Sequence, residues 1–372
     1  MVDGNGLWEV LYGIGYFEYR NDRGLISSGN LKFAREGIMV DSKGVVIVGE
    51  LSDGNLAPIT AELLGIGRKL GDDLGQELSA LFIGSGIGEV ANEAIFFGAD
   101  KVYVVDKPLF KDYLTDSYVG AVEKFVKQVE PDILLLGHTA LGIDAAPMLA
   151  FRLEIELTQD CVELAIDPET KLLQKTKPIY GGNALAIYVG EEGRPQMATI
   201  RAKAMEPLTR DASREGEVVP FDPELDEAAI RGKVIDKVKE EITGVKLEDA
   251  DVVVCGGRGL GGAEVFQQLE EFARILNAAV GATRPPCDAK WCPDYYQIGL
   301  TGKIISPSLY IGIALSGSSQ HWAGMSGSKT IVAVNKDPEA NIFNLAHYGV
   351  VGDFKKALPA FMEKCRELLS KA

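Results

Sequence analysis

The sequence predicts two α/β domains, each built on a largely parallel sheet and joined by a charged connection. Three observations carry that expectation. Short β-branched runs alternate with segments of helical period from Gly44 to about Phe151, a second such series starts at Asp249, and the stretch between them changes texture. A chain of 372 residues has ample length to give each domain its own core.

Residues 1–43 mix acidic residues with arginines and have no long apolar core, so they read as an extension and neither a secretory signal nor a transit peptide. The first domain is placed at 44–206. GVVIVGE, LSALFIG, KVYVVD and PDILLLGHT read as strands, separated by the helical APITAELLGIGRKLG, EVANEAIFFG and DSYVGAVEKFVKQV and followed by IDAAPMLAFRL. From Cys161 to Arg201, apolar runs divided by Asp167-Pro168 and by Gly193-Arg194-Pro195 predict antiparallel hairpins added to that domain. Residues 207–247 are charged, Pro-punctuated and poor in aromatics, the composition of a linker. The second domain, 248–372, closes with the amphipathic helix FKKALPAFMEKCRELLSK.

Charge and composition exclude several classes of function. A net charge of −16 repels a phosphate backbone, so nucleic acid is not an expected partner. At 46% hydrophobic residues, the chain has no apolar run near the ~20 residues that cross a bilayer, so no membrane span is expected. Five cysteines, an odd number, suit a reducing compartment, and the expected location is cytoplasmic.

The second domain holds the candidate chemistry. GGRGLGG (256–262) follows an apolar run, precedes a helical pattern and satisfies G-x-G-x-x-G at Gly257, Gly259 and Gly262, which makes the domain Rossmann-like. A plain tight βα turn is the alternative. An NAD site of this type needs an acidic residue about twenty positions on, and this chain has Thr283-Arg284 near there. GSGIGEV (84–90) has Glu89 where the third glycine belongs and reads as a structural turn. Cys287 and Cys292 lack the companion ligands of a zinc site, so structural thiols and no metal are expected. His138 and His347 read as strand-end or surface residues. Turns at 256–262, 281–284 and 316–321 all follow predicted strands and so fall on one edge of a parallel sheet, where open α/β folds bind ligands.

The segments CGGRGLGG, VGATR, QIGLTGKIISPSLYI, LSGSSQHWAGM and KTIVAVNKDPEANIF resemble the FAD-binding domain of the electron transfer flavoprotein alpha subunit. LLLGHTALGIDAAPMLAFRL and PQMATIR extend the likeness to nearly everything after residue 44. The resemblance implies FAD as cofactor, an electron transfer flavoprotein beta subunit as partner of the first domain, and no bond-making catalytic residues. It implies docking to a flavin dehydrogenase, such as an acyl-CoA dehydrogenase, and to a downstream electron acceptor. It also implies a site: Arg258 at the pyrophosphate, Thr283 and Arg284 by the isoalloxazine ring, and Ile298, Gly299, Leu300 and Thr301 along the ring edge with Thr301 near N5. Ser316, Gly317, Ser318, Ser319, Gln320 and His321 would meet the flavin and ribityl chain, His321 near the C2 carbonyl, with Asn335, Asp353 and Phe354 at the adenosine end. The chain departs from the family pattern at Gly312, Ser319, Lys290 and Pro285-Pro286. Two further readings stay open: a subunit of a flavin-based bifurcating complex with a second FAD in the beta subunit, and a binding module in which the flavin is structural.

Overall fold

A computed structural model describes residues 43–370 except 53, 181–183, 192, 227–229 and 237–244. Nearly all of the expected 1–43 extension, and parts of the expected linker, lie outside the described residues. The chain forms two compact units, the first running to Lys233 and the second from Val234, with 178–186 and 202–204 grouped with the second.

In the first unit the order is β1 (Val45–Gly49), β2 (Leu51–Ser52), β3 (Asn55–Leu56), α1 (Pro58–Leu74), β4 (Leu78–Gly84), α2 (Val90–Phe96), β5 (Lys101–Asp106), α3 (Thr115–Val129), β6 (Ile133–Gly137) and α4 (Ala140–Leu153). There follow β7 (Leu157–Cys161), β8 (Glu163–Ile166), β9 (Leu173–Ile179), β10 (Ala184–Val189), β11 (Gln196–Ile200) and β12 (Glu217–Pro220). The main sheet has seven strands in the order β12-β5-β4-β1-β6-β11-β7, and its pairings are parallel. The strands read as continuous apolar runs because helices cover both faces: every residue of β1 and of β6 is buried. Local signals set the helix ends. Pro58 opens α1 and Gly75, at φ 66°, ends it in the left-handed conformation that glycine adopts without steric cost.

Two expectations for this unit need amendment. The 161–201 segment is not hairpin throughout: β8 and β9 pair antiparallel within a three-stranded sheet ordered β10-β9-β8, while β11 returns to the main sheet as a parallel strand between β6 and β7. Within the expected 207–247 linker, Glu217–Pro220 forms the edge strand β12, paired with β5. Its two valines carry the strand signal, and Glu217 and Pro220 obscured it. An edge strand tolerates both residues because one side faces no neighbour, and Glu217 pairs with Lys101 at 2.9 Å.

In the second unit β13 (Val252–Gly256), α5 (Glu264–Leu276), β14 (Ala279–Ala282), α6 (Arg284–Asp288), β15 (Leu309–Ile313), α7 (Ser319–Ala323), β16 (Thr330–Asn335), β17 (Tyr348–Val351) and α8 (Phe354–Leu369) follow in turn. The strand order is β14-β13-β15-β16-β17, parallel throughout. Strand order therefore reverses between β13 and β15, which makes their carboxyl ends the switch point at which open sheets bind ligands. Alternation along the strands divides the core. Val254, Ile311 and Val334 pack with Phe266, Leu269 and Phe272 of α5 and with Phe354, Leu358 and Met362 of α8, residues spaced three or four apart on their helices. On the other face Val253, Cys255, Tyr310 and Ile331 pack with Ile298, Ile305, Met325 and Ile342, which come from non-strand segments. The loops that build the site are thus anchored in the core. Asp353 caps α8, its carboxylate accepting from the Lys355 amide at 3.0 Å.

Candidate functional site

A cavity of about 610 Å³ lies across the carboxyl ends of β13, β15 and β16 and the start of α8, within the size range of cofactor sites. Its walls include Arg258, Thr283, Ser316, Gly317, Ser318, Asn335, Asp353 and Phe354, half of the residues singled out from sequence.

Backbone contacts between loops fix this wall. The Gly257 and Gly259 amides donate to the carbonyls of Ile313 and Ala314, each at 3.0 Å. A Cβ on Gly257 would stand 2.4 Å from the Ala314 oxygen, so only glycine lets the β13 and β15 loops meet. Gly317 has φ 78°, and a Cβ there would lie 2.5 Å from the Ile342 nitrogen, whose amide donates to Ser316 at 3.0 Å. Gly261 differs: a Cβ there meets nothing within 4 Å, so the turn stays open where it lines the cavity.

The lining places Arg258, Lys336 and Lys355 against a single carboxylate, Asp353. That balance attracts an anion even though the whole chain is acidic, because with a Debye length of about 8–10 Å an anion in the cavity feels these nearby exposed charges more than the distant carboxylates. The first turn of α8, a 16-residue helix, lines the same wall, with its Lys355, Lys356 and Ala357 amides already donating to the Asp353 cap. Sequence reading missed Lys336 and Lys355. Both were accessible to it, since one follows strand β16 directly and the other sits in the first turn of a capped helix.

Several expected residues, some in the cavity wall and some outside it, bond within the protein. Asn335 spends its side chain within the protein: Nδ2 donates to the Leu315 carbonyl at 2.8 Å and Oδ1 accepts from the Asp337 amide at 3.0 Å. Thr283 links the wall to the next segment, its amide donating to the Gly256 carbonyl at 3.0 Å. Arg284 is exposed and pairs with Asp288 one turn later at 3.2 Å. Ile298 is buried, and its amide donates to Ala282 at 2.9 Å. Gly299 backs onto the Gln320 carbonyl, which accepts from the Leu300 amide at 2.8 Å. Leu300 itself is exposed. Gln297 donates to the Thr301 hydroxyl at 2.9 Å. Ser319 and Gln320 start α7 and are exposed.

His321 departs from its expected place. Its ring is 3% exposed, with Nδ1 2.8 Å from the Ile298 carbonyl and Nε2 2.7 Å from the Tyr310 hydroxyl. A carbonyl can only accept, so Nδ1 carries the proton and Nε2 accepts from Tyr310. The Cys255 sulfur lies farther off, at 3.9 Å, and the shorter partner takes the lone pair. Burial pushes the imidazole down to about 4, outweighing the opposing bond to Ile298. The residue is a neutral strut between β15 and the 298–301 loop, with no ring nitrogen left for a ligand.

The 84–90 turn, His138 and His347 bond within the protein. Asp106, ending β5, accepts from the Gly86 and Ile87 amides at 2.6 and 3.1 Å, so the 84–90 turn is filled by the chain's own carboxylate. His138 Nδ1 contacts Thr199 at 3.0 Å, and His347 Nδ1 accepts from the Ile331 amide at 3.0 Å. Among the described residues no group of three or more His, Cys, Asp or Glu is placed to hold a metal.

A cation-lined cavity at the switch point of a parallel sheet defines an α/β protein that binds a nucleotide-type cofactor. Residues 45–226 match the electron transfer flavoprotein domain and residues 246–326 the electron transfer flavoprotein FAD-binding domain. The electron transfer flavoprotein subunit alpha of Thermoanaerobacterium thermosaccharolyticum is 43% identical over 330 residues, covering 89% of this chain and 100% of that one. That of Bacillus subtilis is 40% identical over 327 residues, 88% and 98% of the two chains. The lactate dehydrogenase (NAD(+),ferredoxin) subunit LctC of Acetobacterium woodii is 35% identical over 364 residues, 93% of this chain and 87% of that one. The chain belongs to the electron transfer flavoprotein alpha-subunit family, and its cofactor is FAD. The open glycine turn and the three cations suit the negative charge of that cofactor. Family membership implies a beta subunit as partner, and no helix among the described residues is long and apolar enough to cross a membrane.

Proposed function

We propose that this subunit carries electrons between a flavin dehydrogenase or nicotinamide donor and a downstream acceptor, as the FAD-holding half of a heterodimer with an electron transfer flavoprotein beta subunit. The observation that carries the reading is what lines the cavity. Its ionisable residues are Arg258, Lys336, Asp353 and Lys355, while His321 is withdrawn into the core. Such a set suits binding and electrostatics rather than bond making. FAD supplies the one- and two-electron chemistry. Arg258, Lys336 and Lys355 would hold its phosphates, Ser316 to Ser318 would border it, and Thr283, Arg284 and the loop Ile298 to Thr301 would face its reactive end. Free cysteines at all five positions accord with a cytoplasmic setting.

Lys336→Ala and Lys355→Ala are each expected to weaken FAD about 2–5-fold, the equivalent of an exposed charge contact of about 0.5–1 kcal/mol. Fluorescence titration at rising salt checks this, and wild-type affinity should fall more steeply with salt than that of either variant.

Arg284 acts as a modest electrostatic tuner. An exposed cation already paired with Asp288 contributes about 0.5–1 kcal/mol, or about 20–40 mV for one electron. Arg284→Ala should lower the first reduction potential of the heterodimer by that amount and Asp288→Asn should raise it, as read by a spectroelectrochemical titration with full flavin occupancy.

A bifurcating role is the second reading, and one observation favours it. Residues 44–372 make up 329 of 372 residues, about 88% of the chain, so the 93% matched by the lactate dehydrogenase (NAD(+),ferredoxin) subunit reaches into the 1–43 extension. Counting flavins per heterodimer and titrating their potentials separates the readings. A simple carrier holds one FAD that cycles, a bifurcating complex holds two and oxidises NADH, and one that never cycles supports a structural flavin. Because the cavity opens at a single sheet edge, the isolated chain should retain FAD poorly; tightly held stoichiometric FAD without the beta subunit would refute that arrangement.

A further inference from the structure

Cys287 and Cys292 are brought together by a tight reversal. Helix α6 opens with Arg284-Pro285-Pro286 and ends at Asp288; Lys290 then takes φ 58°, and the chain doubles back. Three backbone bonds pin the reversal: Ala289 to Pro285 at 3.1 Å, Lys290 to Cys287 at 2.8 Å and Trp291 to Pro286 at 3.0 Å. The two sulfurs end 3.7 Å apart, with the Cys287 sulfur also 3.8 Å from the Pro293 carbonyl. Both residues are buried in the core, Cys287 on α6 itself and Cys292 just after the reversal, at 1% and 8% exposure. They are not sealed off, because Cys292 lines a second cavity of about 220 Å³ with Lys290, Pro293, Asp294 and Tyr295. Sequence spacing alone suggested inert thiols; the reversal makes them neighbours.

We infer that Cys287 and Cys292 form a reversible dithiol–disulfide modification site, oxidised by hydrogen peroxide, whose closure is felt at the FAD-binding wall through α6. A disulfide needs about 2.05 Å between sulfurs, so closure draws the pair together by roughly 1.6 Å within a turn that backbone bonds already hold. Of the four residues before Cys287, Thr283 and Pro285 line the FAD cavity, while Arg284 lies between them and Pro286 is buried beside Cys287. Movement of α6 is therefore movement of that wall.

The chemistry balances with peroxide as the only co-reactant. The S–H of Cys292 donates to Cys287 and holds its thiol below the ordinary value, while the same bond and burial push Cys292 up. The Cys287 thiolate attacks one peroxide oxygen, the O–O bond breaks, hydroxide leaves and a sulfenic acid forms. The Cys292 sulfur then displaces the hydroxyl as water, forming the S–S bond. The two sulfurs together lose two electrons and the peroxide gains them. A dithiol such as dithiothreitol reverses the reaction by exchange.

The sequence offers a direct assay. Trypsin cleaves after Lys290, between the two cysteines, and is blocked at Arg284-Pro285, so the disulfide appears as two linked peptides. The FAD-loaded heterodimer is treated with hydrogen peroxide, denatured, alkylated, digested and analysed by mass spectrometry. The linked pair is expected in wild type, is abolished by dithiothreitol, and is absent in Cys287→Ala and Cys292→Ala. Full alkylation of both cysteines after peroxide, or sulfinic and sulfonic acids without linkage, would overturn the site. The connection to FAD rests on the proposed function and has its own readout. The FAD dissociation rate should differ several-fold between the oxidised and reduced wild type and not at all in Cys287→Ala. Equal rates with the linked peptides present would remove the coupling and leave the modification standing.

Discussion

His321→Ala is expected to destabilise the FAD-binding unit severely, even though the residue has no ring atom free for a ligand. The substitution strands the Ile298 carbonyl, at about 1–3 kcal/mol for a group left unsatisfied, and leaves the buried Tyr310 hydroxyl only the weaker Cys255 thiol as partner. It also empties the space of a ring that is 3% exposed. A pH dependence accompanies this. The folded protein declines the proton until about pH 4, whereas an unfolded histidine accepts it near 6.5. Between those values the unfolded chain binds more protons. Stability present above pH 6.5 is therefore lost as pH falls towards 4, by about 3 kcal/mol over the window. Urea denaturation of wild type and His321→Gln at pH 7, 6 and 5 checks both parts. The wild type should lose stability more steeply than the variant over that range, and parallel slopes would contradict the buried neutral strut.

Gly317→Val is expected to abolish FAD binding while the first unit stays folded. Valine at φ 78° adopts a conformation that costs L-residues roughly 1–2 kcal/mol, and its Cβ would lie 2.5 Å from the Ile342 nitrogen, a backbone atom that cannot step aside alone. The Ser316 to Ser318 wall must move. Gly261→Ala is the control: it pays the left-handed backbone cost but meets no protein atom within 4 Å. A loss of affinity beyond that of its modest destabilisation reports contact with the cofactor itself. Calorimetric titration of the apo heterodimer with FAD should show no measurable heat for Gly317→Val and reduced affinity for Gly261→Ala; wild-type affinity in Gly317→Val would place the cofactor elsewhere.

The fold was legible because its strands and helices each bury a face with a readable period. Val253 and Cys255 alternate with Val254 along β13, and Phe266, Leu269, Phe272 and Ala273 mark one side of α5. Edge strand β12 was hidden because one neighbour suffices to hold it, so its sequence need not be apolar throughout. Within the site, the strand-end turns were legible from glycine and small hydroxyl residues. Their side-chain duties were not: nothing near His321 in the chain announces that Tyr310, eleven positions earlier, and Ile298, twenty-three positions earlier, will claim both ring nitrogens. Asn335 shows the same limit, as its amide braces Leu315 twenty positions earlier. Sequence spacing reports which loops converge, whereas the partner of each polar atom is decided by three-dimensional packing.

The loops around the cavity are stitched by main-chain groups: Gly257 to Ile313, Gly259 to Ala314, Ile342 to Ser316 and Leu300 to Gln320. Every amino acid except proline supplies those same donors and acceptors. Exposed positions such as Ser318, Ser319 and Gln320 can therefore be rewritten by mutation with little damage to the wall, leaving selection free to adjust potential and docking there. Gly257 and Gly317 have no such latitude. A lineage descending from this protein should accumulate its novelty on the rim of the pocket while its seams stay fixed.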